Sequence, residues 1–289
     1  MPTTISRQLQ APRVSSQDGT AARLVALAGR DGPGFRGELT EGVVPVGQAP
    51  IRTRRWLTAV PALGNTRSMA DEREPAVAAA WGYEQLHVPA ILRQWAEPVL
   101  AAAGVGEGSE VLDVACGTGI VARTALGLVG PPGAVTGLDL NPGMLAVAES
   151  LAPDVAWRQG DAAALPFADD AFDAVVCQFG LMFFPDRAAA VREMLRCARP
   201  GSPVVAAVWA ALDRSAAYPE AVELLERRAG PAAADALRAP FVLGDTDELR
   251  DLFSEAGATG TAITTHTGTA RFPDVRTMVE ADLRGWLPV

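Results

Sequence analysis

A strand that runs into a glycine turn is the segment of this sequence best suited to chemistry. Residues 111–119 read VLDVACGTG, in which apolar residues are followed by Gly117 and Gly119. Glycines at such a turn let a ligand approach bare backbone where the strand ends. With Ala122 they also satisfy the loose dinucleotide fingerprint GxGxxA, and Asp139 stands 20 residues beyond Gly119. Whether the segment is a general glycine turn at a strand end or a dinucleotide fingerprint, it predicts a nucleoside ligand.

Asp113 bears on which nucleoside this is. In a strand its side chain shares a face with Val111 and Ala115, just before the turn. A buried carboxylate there needs a donor or a cation to offset its lost hydration. A dinucleotide would bring a negative pyrophosphate to this place, whereas S-adenosylmethionine would bring an ammonium and a sulfonium. Charge complementarity favours the second, and backbone hydrogen bonds to Asp113 within the turn are the simpler alternative.

Strand and helix patterns alternate from residue 110 onward. Near-continuous apolar strands separated by helices are typical of a parallel sheet covered on both faces, so we predict an α/β fold with a doubly wound, mostly parallel Rossmann-like sheet. The predicted strands are 110–115, 134–140, 155–159, 174–179, 204–209 and 261–266. The predicted helices are 76–100 with a break near Pro89, 119–128, 142–151, 186–198, 246–257 and 274–285.

Five motifs follow one another in a specific order. They are VLDVACGTG (111–119), VTGLDLNPGML (135–145), QGDAAALPF (159–167), FDAVVCQFGLMFF (172–184) and MLRCARPG (194–201). In this order and at these separations the chain resembles the class I S-adenosylmethionine-dependent methyltransferases. The similarity is to the ubiquinone/menaquinone-biosynthesis type and related small-molecule enzymes, and it covers roughly residues 76–285.

The resemblance implies where the amino acid end of the cofactor binds. Asp113, directly or through water, and the backbone of Ala115, Gly117 and Gly119 would hold the methionine amino and carboxylate groups. Gln178, at the end of the fourth predicted strand, would line the site near the methionine portion.

The resemblance also implies a nucleoside end. Asp139 would accept hydrogen bonds from both ribose hydroxyls. One carboxylate then makes two charge-assisted hydrogen bonds to the diol, which strengthens binding. Leu140 and Met144 would pack on the adenine. Asp161 would accept the adenine amino group, and the amide of Ala162 would serve a ring nitrogen. Each of these residues also has a simpler alternative role. Asp139 could cap a helix, Asp161 could close a turn, and Met144 could be ordinary helix core.

The expected reaction is methyl transfer to oxygen or carbon of a small lipophilic or aromatic molecule. A sulfonium methyl is already activated, so the enzyme has mainly to hold a nucleophile in line with it. The sequence identifies no catalytic residue, since neither His87 nor His266 lies in a motif. A lid at about residues 210–245, with the leading helix and the aromatic stretch 179–184, predicts an apolar chamber for the acceptor. An NAD(P)-dependent oxidoreductase and a catalytically silent nucleoside-binding regulator remain the alternatives.

Composition excludes several other classes. The 25 cationic residues, all Arg, face 34 carboxylates, and a net charge of −9 would repel nucleic acid. Three cysteines without a CxxC pair and two isolated histidines predict no metal site. The longest apolar run, 203–212, is too short to span a membrane. With no secretory signal pattern in view, we expect a cytoplasmic protein.

The first 68 residues differ in composition from the rest. They contain nine Arg and four acidic residues, with scattered Pro and Gly and one short helical candidate at 20–28. We expect this extension to be largely disordered, its removal to leave the melting temperature nearly unchanged, and the methyltransferase domain to occupy 69–289. Translation starting at Met69 would explain the extension, and an Arg-rich targeting peptide is the alternative.

The C-terminal region departs from the pattern. Family members normally complete the sheet with a seventh, antiparallel strand, and no convincing candidate follows the helix predicted at 274–285. We therefore expect the seventh strand to be missing. Its absence would put in doubt the stability of the domain, a homodimer and the activity of this chain.

Overall fold

A seven-stranded sheet forms the centre of the computed structural model, which describes residues 20–28, 73–131, 133–215 and 218–285. The strand order is β4-β3-β2-β5-β6-β1-β7. Strands β2 to β6 pair in parallel, as predicted for crossovers through helices. The strands are β1 (Thr20–Ala28), β2 (Glu110–Val114), β3 (Ala134–Asp139), β4 (Ala156–Gln159), β5 (Ala174–Gln178), β6 (Pro203–Trp209) and β7 (Thr261–Gly268).

Helices connect and cover these strands. Asn141 and Asp186 cap α4 and α5 through their side chains, which accept hydrogen bonds from amides of the first helical turn. The break expected near Pro89 is a π-helix, Val88–Leu92. The α-helices are α1 (Arg73–His87), α2 (Arg93–Ala102), α3 (Ile120–Val129), α4 (Pro142–Leu151), α5 (Arg187–Cys197), α6 (Tyr218–Ala229), α7 (Pro231–Arg238), α8 (Thr246–Glu255) and α9 (Val275–Gly285). The doubly wound α/β architecture is thereby confirmed.

Strand β1 corrects two expectations. The segment predicted as a short helix in a disordered extension is a strand that pairs antiparallel with both β6 and β7. Its Ala22 and Val25 are fully buried. Alanine and leucine favour a helix locally, but two neighbouring strands with unpaired backbone groups offer more hydrogen bonds, so tertiary pairing overrides propensity. The remainder of the predicted extension, 1–19 and 29–68, lies outside the described residues.

The same strand accounts for the seventh position of the sheet. Strand β1, from the N-terminal part of the chain, lies between β6 and β7. The sequence predicts no strand after the helix at 274–285, and the seventh strand instead precedes the other six in the chain. The described chain therefore contains seven strands, and the prediction of a missing one is wrong.

The central strands are buried on both faces, which explains their near-continuous apolar sequence. In β5, Val175, Val176 and Cys177 have no exposed surface, and Cys116 and Cys197 are also free and buried. Of the helices in the described ranges, none has both the length and the hydropathy needed to cross a membrane. The sheet edge at the ends of β2, β3 and β4 is where the candidate site lies.

Candidate functional site

Three acidic residues come from adjacent strands at one edge of the sheet. Asp113 lies in β2, Asp139 ends β3, and Asp161 follows β4 by two residues. The carboxyl ends of adjacent parallel strands lie side by side. The amide of Gly160 donates to the backbone oxygen of Asp139 at 3.1 Å, which holds the Asp161 segment against the end of β3. The three positions thus share one rim.

Asp113 is buried, with 1% of its surface exposed. The backbone amide of Ala122 in the first turn of α3 donates to its Oδ2 at 3.0 Å. Burial raises the pKa of this carboxyl to about 8, against the lowering effect of that bond and with a further rise from the charge of Asp139. The backbone bond considered as the simpler alternative therefore exists, but it does not compensate for burial. A cationic ligand would.

Asp139 joins the glycine turn to the start of α4. Its Oδ2 accepts from the amide of Gly117 and its Oδ1 from the amide of Asn141, both at 2.8 Å. Burial raises the pKa of Asp139, and these two bonds oppose the rise. Each carboxylate oxygen accepts more than one hydrogen bond, so the group can hold the turn and still receive a diol.

The glycine turn has a left-handed backbone at three positions. Ala115, Gly117 and Gly119 have φ values of 56°, 55° and 84°. A positive φ at alanine is uncommon and is found most often where surrounding contacts impose it. Gly119 leads directly into α3, so the amides of the first helical turn face the rim. The amides of Gly117 and Gly119 already donate within the protein, to Asp139 and to the backbone oxygen of Cys116, so the turn offers a ligand its shape and bare backbone rather than these two donors.

The residues expected around the adenine are less uniform. Leu140 is 66% exposed at the rim, while Met144 is half-buried in α4. Asp161 is exposed and accepts from the amide of Ala163 at 2.9 Å, so it closes a turn as well as facing outward. Ala162 is buried. These four positions follow β3 and β4, where a base would extend from a ribose held by Asp139.

Gln178 ends β5 beside the π-helix. Its amide nitrogen donates to the carbonyl of Leu92 at 3.2 Å, which fixes the orientation of the amide group. Its Oε1 is buried and has no hydrogen-bond partner among the described residues. Buried acceptors are rarely left unpaired. An ammonium or hydroxyl from a ligand would satisfy it, so this atom fits a role in the site.

A polar contact that no sequence motif indicates holds α1 against the glycine turn. Glu84 of α1 accepts from the hydroxyl of Thr118 at 2.6 Å and from the guanidinium of Arg123 at 2.8 Å. Nearby, a side chain at Gly117 would come within 3.8 Å of the Tyr83 ring. Glu84 is 34 and 39 residues from its partners, so no local pattern could have paired them.

The predicted apolar chamber is largely packed core. Phe179, Leu181 and Met182 are buried, whereas Phe183 is 48% exposed. Phe179 stacks on Trp209 with ring centroids 3.9 Å apart. No group of three His, Cys, Asp or Glu side chains within the described ranges is placed to hold a metal ion.

Comparison with known proteins identifies the domain. The family described as a methyltransferase domain matches residues 112–206. Demethylmenaquinone methyltransferases from several Staphylococcus aureus strains are 41% identical over 114 residues, which is 38% of this chain and 47% of those proteins. The match therefore spans about half the length of these relatives.

Two solved structures with similar chains are methyltransferases by description. An arsenic(III) S-adenosylmethionine methyltransferase from Chlamydomonas reinhardtii is 29% identical, covering 54% of this chain and 53% of that chain with a TM-score of 0.43. An S-adenosylmethionine-dependent methyltransferase from Aquifex aeolicus is 21% identical, and the match covers 46% of this chain and 77% of that chain with a TM-score of 0.38. The similarity to the demethylmenaquinone methyltransferases covers 38% of this chain. The family match and the sheet architecture agree, and the chain contains a methyltransferase domain that uses S-adenosylmethionine.

Proposed function

We propose that this protein transfers a methyl group from S-adenosylmethionine to oxygen or carbon of a small lipophilic or aromatic molecule. The observation that carries the proposal is a pair of carboxylates, the buried Asp113 and the partly buried Asp139, beside a left-handed glycine turn. A pyrophosphate would add negative charge to this place, whereas a sulfonium nucleoside brings positive charge. This argument and the family match favour methyl transfer over hydride transfer with NAD(P).

The proposed site divides into two ends. Asp113, with the backbone of Ala115, Gly117 and Gly119, binds the methionine portion, and Oε1 of Gln178 faces the same portion. The carboxyl of Asp113 becomes ionised when the cofactor ammonium lies beside it, because the opposite charge offsets the cost of burial.

The nucleoside end follows from β3 and β4. Asp139 accepts the ribose hydroxyls while keeping its two backbone bonds. Leu140 and Met144 cover the adenine, and Asp161 with the amide of Ala162 receives its polar edge. The bound cofactor supplies an activated methyl group. The protein's own contribution is to exclude water and hold the acceptor in line with the departing sulfur.

The acceptor class rests on two kinds of support. The names of the curated relatives state that they methylate demethylmenaquinone, which is a lipophilic ring compound. In this chain, Val222 of α6 and Leu237 of α7 belong to the packed core, whereas Phe183 after β5 is 48% exposed. An exposed apolar ring at this edge suits a small apolar acceptor better than a protein or nucleic acid.

Two measurements test the proposal. Calorimetric titration should show micromolar binding of S-adenosylhomocysteine and no binding of NAD, and the reverse result would end the methyltransferase proposal. Turnover should then be measured against quinols, phenols and polyketides, scored by a mass gain of one methyl group. Cofactor binding without turnover of any acceptor would instead favour the nucleoside-binding regulator.

A further inference from the structure

Two side chains of α5 hold the loop that follows β4. Glu193 and Arg196 are one helical turn apart, and Nε and Nη2 of Arg196 donate to Oε1 and Oε2 of Glu193, both at 2.7 Å. The pair also binds both backbone groups of Leu165. Its amide donates to Oε2 of Glu193 at 2.8 Å, and its carbonyl accepts from Nη2 of Arg196 at 3.0 Å. An arginine and a carboxylate joined by two bonds have a fixed relative geometry, so Leu165 is held by a rigid group.

Arg196 also contacts the loop further along the chain. Its Nη1 donates to the carbonyl of Phe167 and to Oδ1 of Asp169, each at 2.8 Å. A guanidinium has five N–H donors, and these five hydrogen bonds use all of them. The amide of Asp170 donates in turn to the backbone oxygen of Arg196 at 3.0 Å. One side chain therefore determines the path of the loop over several residues.

The loop is the one that carries the proposed adenine contacts. Asp161 and Ala162 lie between two points of attachment. On one side the amide of Gly160 donates to the backbone oxygen of Asp139 at 3.1 Å, and on the other side Leu165 is bound by the α5 pair. Because only residues 161–164 separate the two attachments, the positions of Asp161 and Ala162 depend on both of them.

Packing alone does not hold this loop. Of residues 161–170, only Ala162 and Leu165 are buried, and Asp161 is exposed. Glu193 and Arg196 are each 22% exposed, and a partly exposed ion pair adds little stability by itself. Its five bonds are therefore better explained by what they do to the loop than by what they add to α5.

We propose that Glu193 and Arg196 are positioning residues of the cofactor site, which set its specificity for adenine by fixing Asp161 and Ala162 through Leu165. This inference rests on the proposed use of S-adenosylmethionine and deepens it. Hydrogen bonds weaken steeply with distance and angle, so contact residues must be held to within about 0.5 Å of their productive positions. The α5 pair supplies this support from outside the rim.

The chemistry of the base provides a direct measure of loop position. Adenine presents an amino group to the carboxylate of Asp161 and an unprotonated ring nitrogen to the amide of Ala162. Hypoxanthine presents an oxygen and an N–H group at the same two places, so both contacts become unfavourable. S-adenosylhomocysteine and its 6-oxo analogue S-inosylhomocysteine differ only at this edge. The ratio of their dissociation constants therefore reports how well the loop is positioned.

Calorimetric titration of both probes into the full chain tests the inference. In the wild type, S-adenosylhomocysteine should bind about tenfold or more tightly than S-inosylhomocysteine. Arg196→Met removes every donor and should lower this ratio by about threefold or more, mainly through weaker binding of S-adenosylhomocysteine. Arg196→Lys keeps the charge but has fewer donors, so the ratio should fall part of the way.

Arg250→Met is a matched control. Arg250 also pairs with a carboxylate one helical turn away, Asp247 of α8, at 2.8 Å, and the two side chains are exposed. This substitution should therefore keep the wild-type ratio. General damage to the protein would weaken both probes together, so an unchanged ratio in Arg196→Met would overturn the inference. If Arg196→Met does not fold, the ratio in Arg196→Lys decides in the same way.

The wild-type protein gives two further outcomes. Equal affinities for the two probes would overturn the inference, because the loop would then not recognise the polar edge of the base. Failure of S-adenosylhomocysteine to bind at all would instead overturn the proposed function on which the inference rests.

Discussion

The indole ring of Trp157 lies over Gly137, its cross-strand partner, and reaches the glycine turn. A side chain at Gly137 or at Gly119 would overlap the ring. The indole nitrogen donates to the carbonyl of Ala152 at 2.9 Å, which fixes the ring in this position. Position 119 thus requires glycine for two reasons. The Trp157 ring leaves no room for a side chain, and the backbone is left-handed. The ring supports the turn that faces the cofactor.

Substitution of Gly137 tests this support. Gly137→Ala should destabilise the protein by about 1–3 kcal/mol, because the added methyl group overpacks against Trp157. At this size we expect a loss of roughly 2–4 °C in melting temperature per kcal/mol. The double variant Gly137→Ala/Trp157→Leu should lose less than the sum of the two single variants. Gly127→Ala is a control in α3, where nothing lies within 4 Å of the new methyl group. If the losses of the two single variants add exactly in the double variant, the contact between Gly137 and Trp157 is refuted.

The position of β1 predicts that the N-terminal segment stabilises the fold. Val25 is fully buried between β6 and β7, opposite Ala206 and Ile263, so Val25→Asp should lower the melting temperature by several degrees. Val275→Asp makes the same change at a site that is 71% exposed and should have little effect. Deleting residues 1–68 should also destabilise the protein, contrary to the expectation from sequence. Equal melting curves for both substitutions would argue against β1.

Loss of the Asp139 carboxylate should weaken cofactor binding. Asp139→Ala removes two proposed hydrogen bonds to the ribose and the acceptor of the Gly117 and Asn141 amides. We expect the dissociation constant of S-adenosylhomocysteine to rise roughly tenfold to a few hundredfold. Titration calorimetry measures it, with Asp154→Ala as an exposed control outside the site. An unchanged affinity would remove Asp139 from the site.

Cofactor binding should release a proton. Because burial raises the pKa of Asp113 to about 8, its carboxyl is mostly protonated at neutral pH in the free protein. The cofactor ammonium lowers that pKa, so affinity should increase as the pH rises towards about 8 and then level off. Calorimetry in buffers of different ionisation enthalpy counts the proton. Asp113→Asn should bind more weakly and without proton release, and a pH-independent affinity in the wild type would contradict the assignment.

His87 should contribute to acid sensitivity. Its pKa is near 4 in the folded protein and about 6.5 when unfolded, so between these values the unfolded state binds the extra proton. The stabilisation it gives is complete above about pH 6.5 and is lost as the pH falls towards 4. Urea unfolding should show a shallower decline of the free energy of unfolding over this range in His87→Gln. A parallel decline in both proteins would show that His87 does not titrate in this way.

The sequence by itself determined the parallel part of the sheet and the rim residues. Strands such as β2 and β5 are short apolar runs, and Asn141 and Asp186 mark helix starts through local hydrogen bonds. These signals depend on residues close together in the chain. The placement of Asp113 and Asp139 at successive strand ends follows from the same local pattern, because parallel strands share one carboxyl edge.

Only the tertiary structure decided which distant segments meet. Residues 20–28 read locally as a helix and become a strand because β6 and β7 leave backbone groups to be paired. Glu84 meets Thr118 and Arg123, and His87 meets Asp282, across separations that carry no periodic signal. Such contacts depend on how helices pack on the finished sheet, and packing is a property of the whole chain rather than of any short stretch of it.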